Sequence, residues 1–200
     1  MKTSILTTVT LIGAAFASPV VRSRPLAARE GCPAELQANY LFPHLIVPIS
    51  ASNPDTAYGT VYSPEFTPND FCTIFNFDIP ADAEGKNCSL EFFFPTQSQL
   101  QTSSYTFSGP GTFVFNSYEQ GTGATVDTTY NTQPAAGEHG SFPPLTMTPG
   151  NAYVLDTAPC QLLNGQSTLV SGSTCTNDTT FTYFQDSGEC PIGLYVGITG

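Results

Sequence analysis

From about residue 43 to its last residues, this chain carries short apolar runs of alternating character, separated by clusters of Gly, Pro, Asn and Asp. In Phe71-Cys72-Thr73-Ile74-Phe75-Asn76-Phe77-Asp78-Ile79, the residues Phe71, Phe75, Phe77 and Ile79 share one face of an extended chain. Asn76 and Asp78 point the other way. Residues 88–94 repeat the pattern, with Cys88, Leu90, Phe92 and Phe94 inward and Ser89 and Glu91 outward. Similar runs at 45–49, 56–62, 104–107, 112–118, 152–156, 166–171, 179–185 and 192–198 predict further strands. After Pro43, no ten-residue window spaces its apolar residues as a helix would, and the one helix predicted is a short turn near 34–39. Alternation with one solvated face is what an antiparallel sheet packed on a partner sheet requires. The predicted fold is therefore all-β, an antiparallel β-sandwich, with a closed β-barrel as the alternative. An acidic turn at 81–86 and a Thr/Gly/Pro-rich stretch at 121–140 read as loops, and no fixed-period repeat is present.

The first thirty residues differ in kind. Met1-Lys2 gives a positive start, residues 5–16 are mostly apolar, and Ala15-Phe16-Ala17 has the small-x-small form of a signal-peptidase site. Residues 1–17 are predicted to be a signal peptide, too short in its apolar run to span a bilayer. Residues 18–30 lack a hydrophobic pattern and read as a flexible stub or pro-segment. Residues 31–200 then form a single all-β domain, for which fourteen of the chain's fifteen Phe and all nine Tyr supply ample core. The end at Ile198-Thr199-Gly200 predicts no lipid anchor.

Charge narrows the partners. Lys2, Arg22, Arg24 and Arg29 lie in the leader and stub, so from Glu30 onward Lys86 stands alone among sixteen carboxylates, a formal charge of −15. Such a surface repels phosphate backbones and anionic lipid, which excludes nucleic-acid partners and binding to a membrane surface. Mutual repulsion among the carboxylates also predicts stability that peaks below neutral pH.

All six cysteines (Cys32, Cys72, Cys88, Cys160, Cys175 and Cys190) follow the leader. An even number in an exported chain predicts three structural disulfides, and fifteen pairings satisfy that count. No C-x-x-C pair is present and neither histidine is spaced with the cysteines, so a zinc site is not predicted. Two sequons, at Asn177 and Asn87, predict exposed N-glycan positions. Asn177 is the clearer of the two, because Cys88 sits inside the Asn87 sequon.

Candidate chemistry is thin. Asp156-Thr157-Ala158 and Asp186-Ser187-Gly188 each follow an apolar run, the placement an acid protease needs for two carboxylates sharing a proton. The chain is short for a two-lobed enzyme, and an Asp that opens a turn explains both. No G-x-S-x-G elbow exists. His44 sits in the rigid apolar stretch Phe42-Pro43-His44-Leu45 and reads as a structural, hydrogen-bonded histidine; His139, between Glu138 and Gly140, reads as simply exposed. Asp78, Asp82 and Glu84 before Gly85 could gather a calcium ion, but the D-x-[DN]-x-[DN]-G pattern is missing and a solvated turn is the plainer account. No catalytic residue, cofactor or metal site is predicted, and the chain is expected not to be an enzyme. The alternative is an extracellular hydrolase, of glycosidase or acid-protease type, using two of its many carboxylates.

Phe42-Pro43-His44-Leu45-Ile46-Val47-Pro48, followed by Asn53-Pro54-Asp55-Thr56-Ala57-Tyr58-Gly59, belongs to an ordered series of blocks. Ile74-Phe75-Asn76-Phe77-Asp78-Ile79-Pro80, then Gly85, Lys86, Cys88 and Leu90, continue it. Thr102-Ser103-Ser104-Tyr105-Thr106-Phe107-Ser108-Gly109, Thr148-Pro149-Gly150, Pro159-Cys160, Tyr183-Phe184-Gln185-Asp186 and Pro191-Ile192-Gly193-Leu194-Tyr195 close it. The series resembles the C-terminal domain of the ubiquitin-3-binding protein But2 family, found mainly in filamentous fungi, over about residues 40–196. The resemblance implies an all-β domain behind a signal peptide, with no established activity. It also implies a first disulfide pairing, Cys88 with Cys160, since both fall inside family blocks. The intracellular partner in the family's name does not suit an exported chain. The expected role is a secreted, non-catalytic protein of the fungal cell wall or extracellular space that binds a glycan or a protein.

Overall fold

The computed structural model describes residues 31–200; the predicted signal peptide and stub lie outside the described residues. The strands are β1 (Tyr40–Leu41), β2 (Leu45–Ser50), β3 (Glu65–Phe66), β4 (Phe71–Ile79), β5 (Asn87–Phe94), β6 (Tyr105–Ser108), β7 (Thr112–Tyr118), β8 (Ala136–Ser141), β9 (Leu145–Thr146), β10 (Asn151–Pro159), β11 (Thr168–Thr176), β12 (Thr180–Tyr183) and β13 (Gly193–Thr199). Two 3₁₀ turns, Ala81–Ala83 and Gln97–Gln99, are the helical elements among the described residues. Every strand pairing is antiparallel.

The strands build two large sheets and a small one. The first runs β1-β13-β5-β10, the second β2-β4-β11-β7-β8 with β9 also on β7, and the third β3-β12-β6. The large sheets stay open and pack face to face, so the molecule is the predicted sandwich and not a barrel. Pro48 falls in β2, at the edge of the second sheet, where a strand tolerates proline.

Between the sheets, one end of the sandwich is solid. Phe92 and Phe94 of β5, Phe113 of β7 and Met147 meet Phe66, Phe181 and Tyr183 of the third sheet, all at most 3 % exposed. Their rings pack edge-on or tilted, except that Phe66 stacks on Phe181 and Tyr183; Phe94 and Phe181 have centroids 4.9 Å apart. Each buried ring contributes about 1.5–3 kcal/mol of transfer free energy, which makes this end the anchor of the fold.

The outer faces depart from the simple alternation. Phe93 and Tyr195 on the outside of the first sheet are covered by Ala34, Leu36 and Tyr40. The same cover leaves Glu91, expected to point into water, only 2 % exposed. To follow the sheet, residues 34–39 run without helical structure, and the Ile198 amide donates to the Asn39 carbonyl at 2.8 Å. The predicted short helix there is overridden by tertiary packing. On the outside of the second sheet, Val47, Ile49, Ile74 and Tyr118 are covered by Ala124 and Tyr130. Asn76, also expected in water, is 2 % exposed there: its Nδ2 donates to the Ala124 carbonyl at 2.9 Å and its Oδ1 accepts from the Ala124 amide at 3.1 Å.

Two further expectations are corrected. Residues 56–62 form no strand: Gly59 takes φ +70°, and single contacts such as the Val61 amide to the Ile46 carbonyl replace a ladder. The stretch at 121–140 is not all loop, because its end enters β8.

Three disulfides brace the domain, Cys32–Cys190, Cys72–Cys175 and Cys88–Cys160, and no described cysteine is free. Cys72 and Cys175 follow the Thr73–Thr174 pair in register and so stand directly opposite, with Cα atoms 4.5 Å apart, the spacing of a non-hydrogen-bonded pair. Cys32–Cys190 ties the covering N-terminal segment to the loop before β13.

Candidate functional site

At the end away from the aromatic plug, the two large sheets do not close on each other. Inward residues of β4 (Phe75, Phe77 and Ile79) and β7 (Phe115) face Leu90 of β5 and Leu194 and Val196 of β13 across a cleft of about 590 Å³. That volume is within the range of small-molecule sites, roughly 300–1,000 Å³. Val170 of β11, 36 % exposed, and Gly172 form part of the same wall. Adding a Cβ at Gly172 would bring it 2.5 Å from the Asn116 carbonyl oxygen, so no side chain can replace the glycine here and the wall stays recessed.

The cleft is flanked by two irregular strands. In β10 the register slips between Val154, opposite Glu91, and Asp156, opposite Leu90. Plain alternation would put Leu155 inward and Asp156 outward. The bulge turns both toward the inside of the sandwich, Leu155 into the core and Asp156 to the rim of the cleft. In β8 the residues between Ala136, opposite Tyr118, and Ser141, opposite Asn116, outnumber the single residue Ser117 across from them. This larger bulge holds Glu138 and His139 at the cleft mouth. Glu119, just after β7, completes the rim, and all four side chains are exposed. Gln120 Nε2 donates to the Gln161 carbonyl at 2.8 Å, joining the ends of β7 and β10 beside the mouth.

The residues singled out from sequence scatter. Asp156 lines the cleft, but Asp186 does not; Asp186 accepts from the Thr102 hydroxyl and, at 3.0 Å, from the Gly188 amide, as an Asp opening a turn does. The two do not form a shared-proton pair in one cleft. His44 Nδ1 lies 2.9 Å from Asp78 Oδ2 in an exposed pair. His139, read as merely exposed, is exposed and also stands at the mouth. Among the described residues no three His, Cys, Asp or Glu side chains converge as a metal site, and no helix is long and apolar enough to cross a membrane. Asn177 is exposed in the turn between β11 and β12. Asn87 is exposed at the first position of β5, beside bonded Cys88.

Sequence reasoning missed the cleft itself. Its walls read as ordinary core positions, and nothing in an alternating pattern says whether two facing rows touch. The bulged strands had no apolar signal either: β8 reads Ala-Gly-Glu-His-Gly-Ser.

These features define a class, a disulfide-braced antiparallel sandwich with a cleft left open between its sheets. The model of the ubiquitin 3 binding protein But2 C-terminal domain matches residues 41–189, and the chain belongs to that family. No curated protein and no solved structure matches it.

Proposed function

We propose that this chain is an exported, non-catalytic binding module of the fungal extracellular space that takes an apolar ligand between its sheets. The observation that carries the reading is the open chamber of about 590 Å³ walled by Phe75, Phe77, Leu90, Phe115, Leu194 and Val196. A sandwich that served only as a spacer would gain by closing there, since each CH₂ removed from water stabilises by about 0.8 kcal/mol. Three disulfides and the leader-like residues 1–17 support export. An exported chain would not meet the intracellular partner suggested by the family's name.

The test is uptake of the neutral fluorophore N-phenyl-1-naphthylamine by the oxidised protein. Saturable enhancement, lost when Val170→Trp fills the chamber from its exposed wall, supports the reading. Absence of uptake, or uptake unchanged by Val170→Trp in a folded variant, sinks it. Secretion is checked separately by sequencing the N-terminus of protein recovered from the medium.

A second reading keeps the glycan ligand. Tyr62 and Phe184 are 75 % and 43 % exposed with ring centroids 6.4 Å apart, an aromatic surface on which a sugar ring could stack. Retention on cell-wall glycan that falls away with Tyr62→Ala and Phe184→Ala would favour this patch over the cleft.

A further inference from the structure

The chamber and its mouth have opposite characters. The walls are aliphatic and aromatic, while the rim carries Glu119, Glu138 and Asp156, with His139 as the one basic side chain. Lys86, the only Lys or Arg from residue 31 onward, is not in the lining. A second space of about 90 Å³, behind Pro143 and Pro144, shares Leu90, Phe115, Phe142 and Asp156 with the chamber and extends it. The pair of cavities suits an elongated apolar body better than a compact one.

The rim decides what head that body can bear. A carboxylate or phosphate at the mouth would face three carboxylates with no ammonium or guanidinium to offset them. A protonated amine would face the same three groups with the sign reversed, and the bulges in β8 and β10 aim two of them there. Resting on the cleft as the ligand site, we infer that its ligand is a cationic amphiphile, a long-chain amine whose chain fills the inter-sheet chamber while its ammonium stays at the mouth, in the field of the rim carboxylates Glu119, Glu138 and Asp156. The chain supplies affinity through burial, and the rim supplies selection between heads. At the exposed mouth the ammonium keeps its donors in water, so no buried charge is created.

The experiment compares three molecules with one fourteen-carbon chain and different heads: tetradecylamine, tetradecanol and tetradecanoate, each below its micelle concentration. Each displaces N-phenyl-1-naphthylamine from the oxidised protein. The amine should displace at a concentration at least about tenfold below that of the carboxylate, since the acidic rim attracts one head and repels the other. The alcohol should fall between them. Raising the salt to about 1 M should shrink the gap, because the rim is solvent-exposed. Replacing the rim charges together, Glu119→Gln, Glu138→Gln and Asp156→Asn, should abolish the ranking. Equal or tighter binding of the carboxylate overturns the inference while leaving the cleft as the site. A preference for amine that survives both high salt and the triple variant also overturns it. Failure of all three to displace, with no fluorophore uptake to begin with, overturns the underlying reading of the cleft instead.

Discussion

Replacing Glu91 by Gln should remove most of the pH dependence of this domain's stability above the ordinary carboxylate range. Glu91 lies in the middle of β5, between Tyr195 of β13 and Val154 of β10. The N-terminal segment covers it: a Cβ added at Gly197 would lie 2.9 Å from Gln37 and 3.0 Å from the Glu91 carboxylate. Its Oε2 has no hydrogen-bond partner among the described residues. Desolvation lifts its pKa from 4.5 to about 7. The folded state therefore holds a proton that the unfolded chain releases, so stability from this group is full below about pH 4.5 and is lost as pH rises to about 7. At 1.36 kcal/mol per unit, the loss is about 3 kcal/mol, which for a domain of this size lowers Tm by roughly 6–12 °C. Gln at this position is neutral throughout. Denaturant melts of both proteins at about pH 4 and about pH 8 should show near-equal stability at the acidic end and a Gln variant ahead by about 3 kcal/mol at the alkaline end. A variant that loses stability with pH in parallel with the parent would refute the reasoning, and would mean that the carboxylate is solvated or paired.

Asp70 and Asp178 act in the opposite sense: hydrogen bonds, from Ser50 and Thr179 foremost, hold their pKa values below 3.8, so their contribution is lost as pH falls through and below that value, giving a stability maximum in the acidic range between the two windows, which a pH series of melts would locate. Asn76→Ala strips both bonds that hold Ala124 over the second sheet and should cost about 2–4 kcal/mol, with raised amide exchange around residues 122–130 as the local signature; a change below about 0.5 kcal/mol would show that water satisfies that backbone. Tyr183 is fully enclosed and its hydroxyl has no partner among the described residues, so Tyr183→Phe should leave stability unchanged or raise it by about 1 kcal/mol; a clear loss in a urea melt would reveal a hidden partner. Gly111 takes φ +87° with the Met147 carbonyl oxygen 2.2 Å from where a Cβ would sit, and Gly111→Ala should cost about 2–4 kcal/mol, visible as a drop in the denaturation midpoint at constant slope.

The amino-acid order alone determined the strand-forming segments of the sandwich, since Phe71–Ile79 and Asn87–Phe94 alternate strongly enough that one face had to be inside. It likewise announced an oxidised domain through six cysteines, and the family through ordered blocks, of which all but the last, residues 191–195, lie within the matching family model. Short or glycine-bearing pieces were not legible. β8 has no apolar alternation to betray it, and residues 56–62 alternate yet bend away at Gly59. The same limit applied to the second face of each sheet. Asn76 and Glu91 sit at outward positions, and polarity at such a position means water unless another segment happens to lie across it. Only the tertiary structure laid residues 34–40 over one sheet and Ala124 over the other, making one polar side chain a clamp and the other a pH-sensitive burden. The candidate site belongs to that second category. Periodicity says which residues point inward, but whether two inward rows meet depends on the distance between sheets. Here the aromatic plug of the third sheet fills one end of the sandwich, while two bulged strands flank the end that stays open.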